Sequence, residues 1–316
     1  MDVSIDALTF LWGETSFDVL DLLVNLIDLR FDFTQNTPRK IGVFWDYCYR
    51  SVGGSMYAYR HTADGLSYRL AISGTDCAGT SQVLLQHLMR LLRANVPGVR
   101  CSRLDIALDD FDKTLCPELI IAAVEAGDFS GFERCDYVRN VGRAGWTVYL
   151  GSRQSEHFVR YYNKDAESRG RVKSYRYESE FKGGRADALF GVLSNLSTVE
   201  ASYAALRNMV LGKICFYSDR KKNICRSTVA DWWADFVARV TTSVVVVPAP
   251  RRETSIARKI VWIQRHVARS VALIRRATGI DEFADFVDEL ITIGNAKLRR
   301  LDELMLIEYE TENTTG

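Results

Sequence analysis

A tyrosine flanked by cations is the residue whose type and setting point most directly to chemistry. In the segment HFVRYYNK, residues 157 to 164, β-strand alternation places Arg160, Tyr162 and Lys164 on one face. Neighbouring cations favour the phenolate, so we expect a lowered pKa and a nucleophilic Tyr162. The adjoining Tyr161 falls on the other face. A strand tyrosine is commonly only a packing residue, and this structural alternative stays open.

The segment RLDIALDD, residues 103 to 110, carries acids at strand spacing. A period of two puts Asp105 and Asp109 on one face and leaves the aliphatic residues between them for the core. Carboxylates placed in this way predict a site for a hard divalent cation such as Mg²⁺ or Mn²⁺. The alternative is a solvated antiparallel strand with acids near its end.

The segment YRYESEFK, residues 175 to 182, repeats the pattern with Glu178 and Glu180 beside Arg176 on one face. Alternating charges on a strand often form only cross-strand ion pairs. A second acid-bearing strand in one small sheet nevertheless favours a common meeting point for the carboxylates of both strands.

The elements that must position these residues indicate an α+β domain. Aromatic-rich alternating segments separated by turn residues predict an antiparallel meander, with helices interposed over 81–96 and 117–127. The expected fold class is an antiparallel sheet with packed helices, followed by an all-helical C-terminal region. We expect residues 1–185 to form a catalytic domain and residues 186–316 a helical DNA-binding or oligomerisation region.

Composition narrows the class of protein. A chain of 316 residues with 47% hydrophobic and 26% charged residues has the balance of a folded globular protein. No apolar run is long enough to span a bilayer, and the acidic start does not resemble a signal peptide, so we expect a cytoplasmic protein without a membrane partner. The 7 cysteines show no zinc-knuckle spacing and the 4 histidines are scattered, which argues against a local histidine-based metal site.

Basic residues are concentrated in the later part of the chain although the net charge is only +1. We expect these residues to contact DNA phosphates, with a few reaching base edges, while solvated helix faces remain an equal alternative. The candidate DNA-binding residues are Arg153, Lys213, Arg220, Lys221, Lys222, Arg258, Lys259, Arg265 and Arg269.

The polar strands, in this order, resemble the replication initiation factor family, Rep_trans, which includes rolling-circle plasmid and filamentous-phage initiators and some conjugative relaxases. The matching segments are ISGTDC, RLDIALDDFD, GWTVYLGSRQSEHFVRYYNK and YRYESEFKG, beginning at residues 72, 103, 145 and 175. The later segment RKIVWIQRHVARSVALI resembles a tryptophan-bearing helix of these proteins. Asn163 departs from the family, in which many members carry an acid between the tyrosine and the lysine. This departure leaves the nucleophile in place and could alter a secondary contact.

The resemblance implies a rolling-circle replication initiator that nicks one DNA strand and leaves a 5′-phosphotyrosine and a free 3′-hydroxyl primer. It implies Tyr162 as the nucleophile, with Lys164, Arg176 and Arg160 at the scissile phosphate. As ligands of Mg²⁺ or Mn²⁺ the first choices are Asp105 and Glu178, and the second choices are Asp109 and Glu180. Histidine-dependent nickases use two histidines separated by one residue, and the sequence contains no such pair.

The partners implied are origin DNA, single-stranded or extruded as a hairpin, a host helicase and a second copy of the chain. Two alternatives remain open at this point. One is a relaxase of a conjugative element with the same chemistry, and the other is a non-catalytic DNA-binding regulator that shares the fold.

Overall fold

The computed structural model describes residues 1–139, 145–241 and 267–298, and a few single residues beyond: Ile256, Lys259, Ile260, Ile263, Gln264, Asp302 and Leu306. The chain forms two compact units, Met1–Pro250 and Arg251–Gly316. The division therefore falls well after residue 185, where the sequence led us to expect the end of the first domain.

The strands alternate apolar and polar residues over most of their length. In chain order they are β1 (Asp2–Trp12), β2 (Arg39–Ile41), β3 (Val43–Trp45), β4 (Tyr47–Arg50), β5 (Met56–Thr62), β6 (Gly65–Ile72), β7 (Arg100–Asp110), β8 (Phe129–Ser130), β9 (Cys135–Arg139), β10 (Trp146–Leu150), β11 (His157–Asn163), β12 (Tyr175–Lys182), β13 (Cys215–Asp219) and β14 (Thr228–Val229). The main sheet has nine strands in the order β4-β5-β6-β1-β7-β12-β11-β10-β9. Every neighbouring pair in it is antiparallel.

The helices of the first unit are α1 (Val19–Ile27), α2 (Gly74–Gly79), α3 (Gln82–Asn95), α4 (Pro117–Ala126), α5 (Lys164–Glu167), α6 (Gly183–Asn195), α7 (Val199–Val210) and α8 (Asp231–Val240). Helix α3 begins where the Ser81 side chain accepts a hydrogen bond from the Leu84 amide at 3.3 Å and so caps the helix. Helices α3, α6 and α7 pack on one face of the central strands, and α1 packs on α3. The core lies between these layers, and the opposite face of the central strands is left polar.

The period of two in β7 has the expected result. Leu104, Ile106 and Leu108 are buried under the helices, within the main hydrophobic core. Their alternation leaves Asp105 and Asp109 on the other face, across from β12 and β1. The α+β class predicted from the sequence is therefore confirmed.

The chain after residue 185 also contributes β-structure, which the sequence reading missed. Strand β13 pairs with β8 and β14 in a small three-stranded sheet. Helices α6 and α7 contact β7 and β1, so they belong to the first unit and not to a separate helical region. Short segments such as β13 were overlooked because five residues are too few for periodicity to distinguish a strand from a helix.

The second unit contains helices α9 (Ala268–Thr278) and α10 (Ile280–Asn295). The last turn of α9 contains Arg275 and Arg276, and the first turn of α10 contains Asp281 and Glu282, so each charge is favourable for its helix end. Within the described part of the chain, no helix has the length and apolar character needed to cross a membrane.

Candidate active site

The site is organised by the pairing of β11 with β12. The register sets Arg160 opposite Glu178 and Tyr162 opposite Arg176, so all four side chains emerge on the polar face. The Tyr162 hydroxyl donates a hydrogen bond to Glu178 Oε2 at 3.2 Å. The Arg160 guanidinium forms an ion pair with Oε1 of the same carboxylate.

Two cations flank the Tyr162 ring, as the strand alternation predicted. Arg160 Cζ and Lys164 Nζ each lie 5.8 Å from the centroid of that ring. Lys164 begins the short helix α5 and forms an ion pair with Glu167 at 2.8 Å. The tyrosine is therefore held between a guanidinium and an ammonium group, with its hydroxyl at a carboxylate.

The acidity of Tyr162 differs from the expectation. Burial raises the pKa of the phenol above its ordinary value, Glu178 raises it further, and Arg176 opposes them. The expectation that neighbouring cations lower this pKa was therefore wrong for this arrangement. Only 8% of Tyr162 is exposed, and the nearest charge is a carboxylate.

Tyr161, the other candidate nucleophile, belongs to the core. It is fully buried, its hydroxyl donates to the Leu115 carbonyl oxygen, and its ring lies 4.8 Å from that of Trp146. Burial raises the pKa of this phenol as well. Strand parity therefore separates the two tyrosines as predicted, since Tyr162 alone of the pair points to the polar face.

Arg176 ties β12 to two acids on other strands. Its Nε and Nη2 donate to the Asp109 carboxylate at 2.9 and 2.6 Å, and its Nη1 lies 2.8 Å from Asp6 Oδ1. The sequence reading missed Asp6. The register of β1 against β7 shifts between Ile5 and Ala7, and this bulge places Asp6 beside the site. The sequence contained a signal of this bulge, because the apolar residues that become buried in β1 change parity between Ile5 and Leu8.

The remaining acids are gathered around Arg103. Its guanidinium donates to both oxygens of Asp105 and also reaches Glu180 at 2.7 Å, while Lys182 forms an ion pair with Glu180. Burial raises the pKa of Asp105 to about 7, against Arg103, and Glu180 and Glu178 add to the rise. Burial and the two nearby glutamates thus oppose ionisation of Asp105.

A cavity of about 1480 Å³ opens over the polar face between β1, α2, β11, α5 and β12. Six residues of the site line this cavity: Asp6, Arg160, Tyr162, Lys164, Arg176 and Glu178. Asp105, Asp109 and Glu180 share the sheet face but are not part of the cavity lining. The structure therefore brings the proposed nucleophile, cations and Glu178 together and keeps the other acids beside them.

The donors suit a hard divalent cation in type, since carboxylate oxygens are what Mg²⁺ and Mn²⁺ prefer. Among the described residues, no three His, Cys, Asp or Glu side chains form a group that could hold a metal ion. Magnesium commonly keeps several waters and takes only one or two carboxylates together with substrate phosphate. The residues present fit that mode of binding, with Glu178 at the cavity and Asp105 near it.

The candidate DNA-binding residues are spread over both units. Arg153 is exposed, with its guanidinium 5.4 Å from the ring of Phe158. Lys221 pairs with Asp219 at 2.6 Å in the loop after β13, and Arg220 and Lys222 are exposed in the same loop. Lys213 is half-buried, Lys259 pairs with Asp302 at 2.8 Å, and Arg269 is exposed on α9. Arg258 and Arg265 lie outside the described residues.

Fold and site together define a class: an antiparallel α+β domain that presents a tyrosine hydroxyl, carboxylates and guanidinium groups at one cavity. The sequence profile of the replication initiation factor family matches residues 99–291. The chain belongs to this family, and the resemblance drawn from its strand segments is confirmed.

Two individual proteins illustrate the similarity. The chain is 25% identical over 225 residues to a putative DNA relaxase, NicK, of Bacillus subtilis strain 168, covering 66% of this chain and 61% of the relative's length. A rolling circle replication initiator protein from Geobacillus stearothermophilus has a similar structure, with a TM-score of 0.60 and 18% identity. That similarity covers 78% of this chain and 98% of the other, and it shows a shared fold.

Proposed function

We propose that this protein initiates rolling-circle DNA replication by nicking one strand at an origin through transesterification to Tyr162. The single observation that carries the proposal is the position of the Tyr162 hydroxyl, which donates to Glu178 at a cavity lined by Arg160, Lys164 and Arg176. Membership of the replication initiation factor family supports the same conclusion.

In the proposed step Tyr162 Oη attacks a phosphorus atom of single-stranded or extruded DNA. A bond forms between that oxygen and phosphorus, and the bond from phosphorus to the 3′-oxygen breaks. The 5′-phosphate remains attached to the tyrosine, and the released 3′-hydroxyl serves as a primer. One phosphodiester replaces another, so the reaction can be reversed to rejoin the strand.

The residues around Tyr162 have distinct parts in this step. Glu178 is the nearest acceptor for the phenolic proton, and removing that proton matters because burial raises the pKa of the phenol. Arg160, Lys164 and Arg176 would offset the negative charge that develops on the phosphate oxygens. Arg176 is held for this task by Asp6 and Asp109.

We include Mg²⁺ or Mn²⁺ in the proposal. Glu178 and Asp105 would hold the ion, with Asp109 and Glu180 as second choices on the same face. When bound, such an ion supplies electrophilic polarisation of the phosphate. Partner DNA, a host helicase and a homodimeric state also remain proposals, as does a division of labour between a nicking domain and a basic C-terminal DNA-binding region.

The decisive experiment incubates the protein with labelled single-stranded DNA that carries its origin, and detects covalent adducts on denaturing gels. Tyr162→Phe should abolish the adduct. Tyr161→Phe is the matched control, because it removes a phenol from the adjacent position on the core side and should leave adduct formation in place. An adduct that persists in Tyr162→Phe would reject the nucleophile, and its absence from the wild-type protein would favour a non-catalytic DNA-binding regulator.

A second function shares this chemistry. A relative is described as a putative DNA relaxase, which favours nicking at a transfer origin of a conjugative element. Replication assays separate the two cases, since a replication initiator supports synthesis from the nick in a plasmid lacking its own initiator, whereas a pure relaxase supports strand transfer only.

A further inference from the structure

Three buried N–H donors on strands β3, β5 and β6 lack acceptors. Trp45 Nε1, Arg60 Nε and Arg69 Nε are shielded from solvent and form no hydrogen bond with any described residue. Buried donors in folded proteins are normally paired, so orphan donors of this kind need an explanation such as an absent water or ion. Each of these three N–H groups can donate a hydrogen bond to an oxygen acceptor.

The three residues are neighbours. Arg60 Cζ lies 5.6 Å from the centroid of the Trp45 ring. Arg69 on β6 is opposite Ala58 on β5, and Ala58 packs with Trp45 in a small apolar cluster separate from the main core. We refer to Trp45, Arg60 and Arg69 as the β5–β6 arginine patch.

The patch lies on the same sheet face as Tyr162. Arg69 is opposite Leu11 of β1, and Thr9, two residues earlier on that strand, is opposite Arg103 of β7. Arg103 in turn binds Asp105 and Glu180 on the polar face. Four strand spacings separate β6 from β11, which is roughly 20 Å across the sheet.

The charges of the patch are not neutralised within the described chain. Arg103 and Lys182, which lie between the patch and Tyr162, both form ion pairs with acids. Arg60 and Arg69 form no ion pair with a described residue. Burial and then Arg103 lower the pKa of Arg69, as expected for a cation held without a counter-charge. An oxyanion would supply both the missing charge and the missing acceptor.

Building on the proposed function, we propose that the β5–β6 arginine patch binds a backbone phosphate of the same DNA strand whose scissile phosphate lies at Tyr162. The strand would cross the polar face from β11 to β6, passing the neutralised pairs around Arg103. Guanidinium groups suit this contact, because their fixed donors match phosphate oxygens. The contact positions the strand and reads no base.

The test measures binding of a fluorescent oligothymidylate, long enough to cross the sheet, to the full-length protein by anisotropy without added metal. Arg69→Gln should weaken binding about tenfold and Arg60→Gln similarly, since each removes a charge-assisted contact. For single strands, each lost phosphate contact should reduce the slope of log affinity against log salt by about 0.7. Unchanged affinity and slope in both variants would overturn the proposal.

Two controls separate this contact from general effects. Arg239→Gln removes an exposed arginine of α8 and should change affinity less than about twofold. An oligothymidylate with uncharged methylphosphonate linkages should bind wild-type protein and Arg69→Gln equally, whereas a continued difference would mean that Arg69 contacts bases and not phosphate. Arg69→Gln should melt no lower than wild type, because Arg69 Nε has no partner to lose. A markedly lower melting temperature with full affinity would assign Arg69 a structural role instead.

The experiments distinguish a failure of the proposed phosphate site from a failure of the proposed nicking activity. Wild-type protein that binds the oligonucleotide through Arg69 yet forms no covalent adduct with origin DNA would reject the nickase and retain the phosphate site. Adducts formed at full affinity in Arg69→Gln would reject the site and retain the nickase.

Discussion

The hydroxyl of Tyr162 lies 3.2 Å from Oε2 of Glu178, whose other oxygen binds Arg160. The carboxylate is 1% exposed, so it meets the phenol with little competition from water. A guanidinium therefore pairs with one oxygen of the carboxylate whose other oxygen accepts the hydrogen bond from Tyr162. The phenol of Tyr162, whose pKa is raised by burial, is thus hydrogen-bonded to a buried carboxylate.

Replacing Glu178 with Gln should lower the rate of adduct formation about 100-fold or more, because the neutral amide is a poor proton acceptor and a weak metal ligand. Single-turnover gel assays at several metal concentrations measure this effect. Glu200→Gln, an exposed change on α7, should keep the wild-type rate. Nicking by Glu178→Gln at the wild-type rate would remove Glu178 from the mechanism.

Asp105→Asn should raise the concentration of Mg²⁺ or Mn²⁺ needed for half-maximal nicking about tenfold or more, since it removes one anionic oxygen donor. Metal titrations of the adduct assay check this, and Asp235→Asn on the surface of α8 is the matched control. Chelation with EDTA should abolish nicking by wild-type protein while leaving oligonucleotide binding measurable. An unaltered metal requirement in Asp105→Asn would exclude this residue as a ligand.

Arg176 and Asp109 should be energetically coupled. Their side chains form two hydrogen bonds with little exposure, so removing either partner leaves the other charge poorly solvated. A double-mutant cycle of Arg176→Met and Asp109→Asn, measured by urea unfolding, should give a coupling free energy of about 1–3 kcal/mol. Additive effects would show that the pair does not fix Arg176 at the cavity.

Acid should destabilise the protein through His157. Burial lowers the pKa of this imidazole to about 3, with Arg185 and Lys213 contributing, while its unfolded value is about 6.5. Below pH 6.5 His157 binds a proton in the unfolded chain but stays neutral in the folded chain, so the free energy of unfolding falls as the pH decreases. The expected loss is about 1.4 kcal/mol per pH unit down to the folded pKa.

Urea unfolding of wild type and His157→Gln at pH 6.5 and pH 5 tests this expectation. Titrating carboxylates affect both proteins alike, so the variant should lose about 2 kcal/mol less than wild type over this interval. Equal losses would mean that His157 takes up its proton in the folded state as readily as in the unfolded state.

Much of the site was predictable because strand parity is a local property. Tyr162, Glu178 and Asp105 could be assigned to one face from a period of two, and the same rule placed Tyr161 in the core. Asp6 could not be assigned by a strict period of two, because the β1 bulge shifts its parity. Its contact with Arg176 joins residues 170 positions apart in the chain and depends on the pairing of β7 with both β1 and β12.

The direction of the pKa shift of Tyr162 also could not be predicted from the sequence. Counting neighbouring cations ignored both the burial of the ring and the contact with Glu178, which depend on tertiary packing. The pairing of β13 with β8 was missed for a similar reason, since five and two residues carry too little periodicity to reveal it. Helices α6 and α7 follow residue 185 yet cover the central strands, a contact between distant segments that sequence periodicity does not show.

Tyr161 and Tyr162 are adjacent on β11, and the register of β11 against β12 determines which of the two faces the cavity. A slip of that ladder by a single step would exchange them, turning Tyr162 inward and bringing Tyr161 to the cavity together with its apolar neighbours. A one-residue insertion within β11 that no bulge absorbs would therefore exchange the faces of the two tyrosines, whereas lengthening the turn before β11 would leave their faces unchanged.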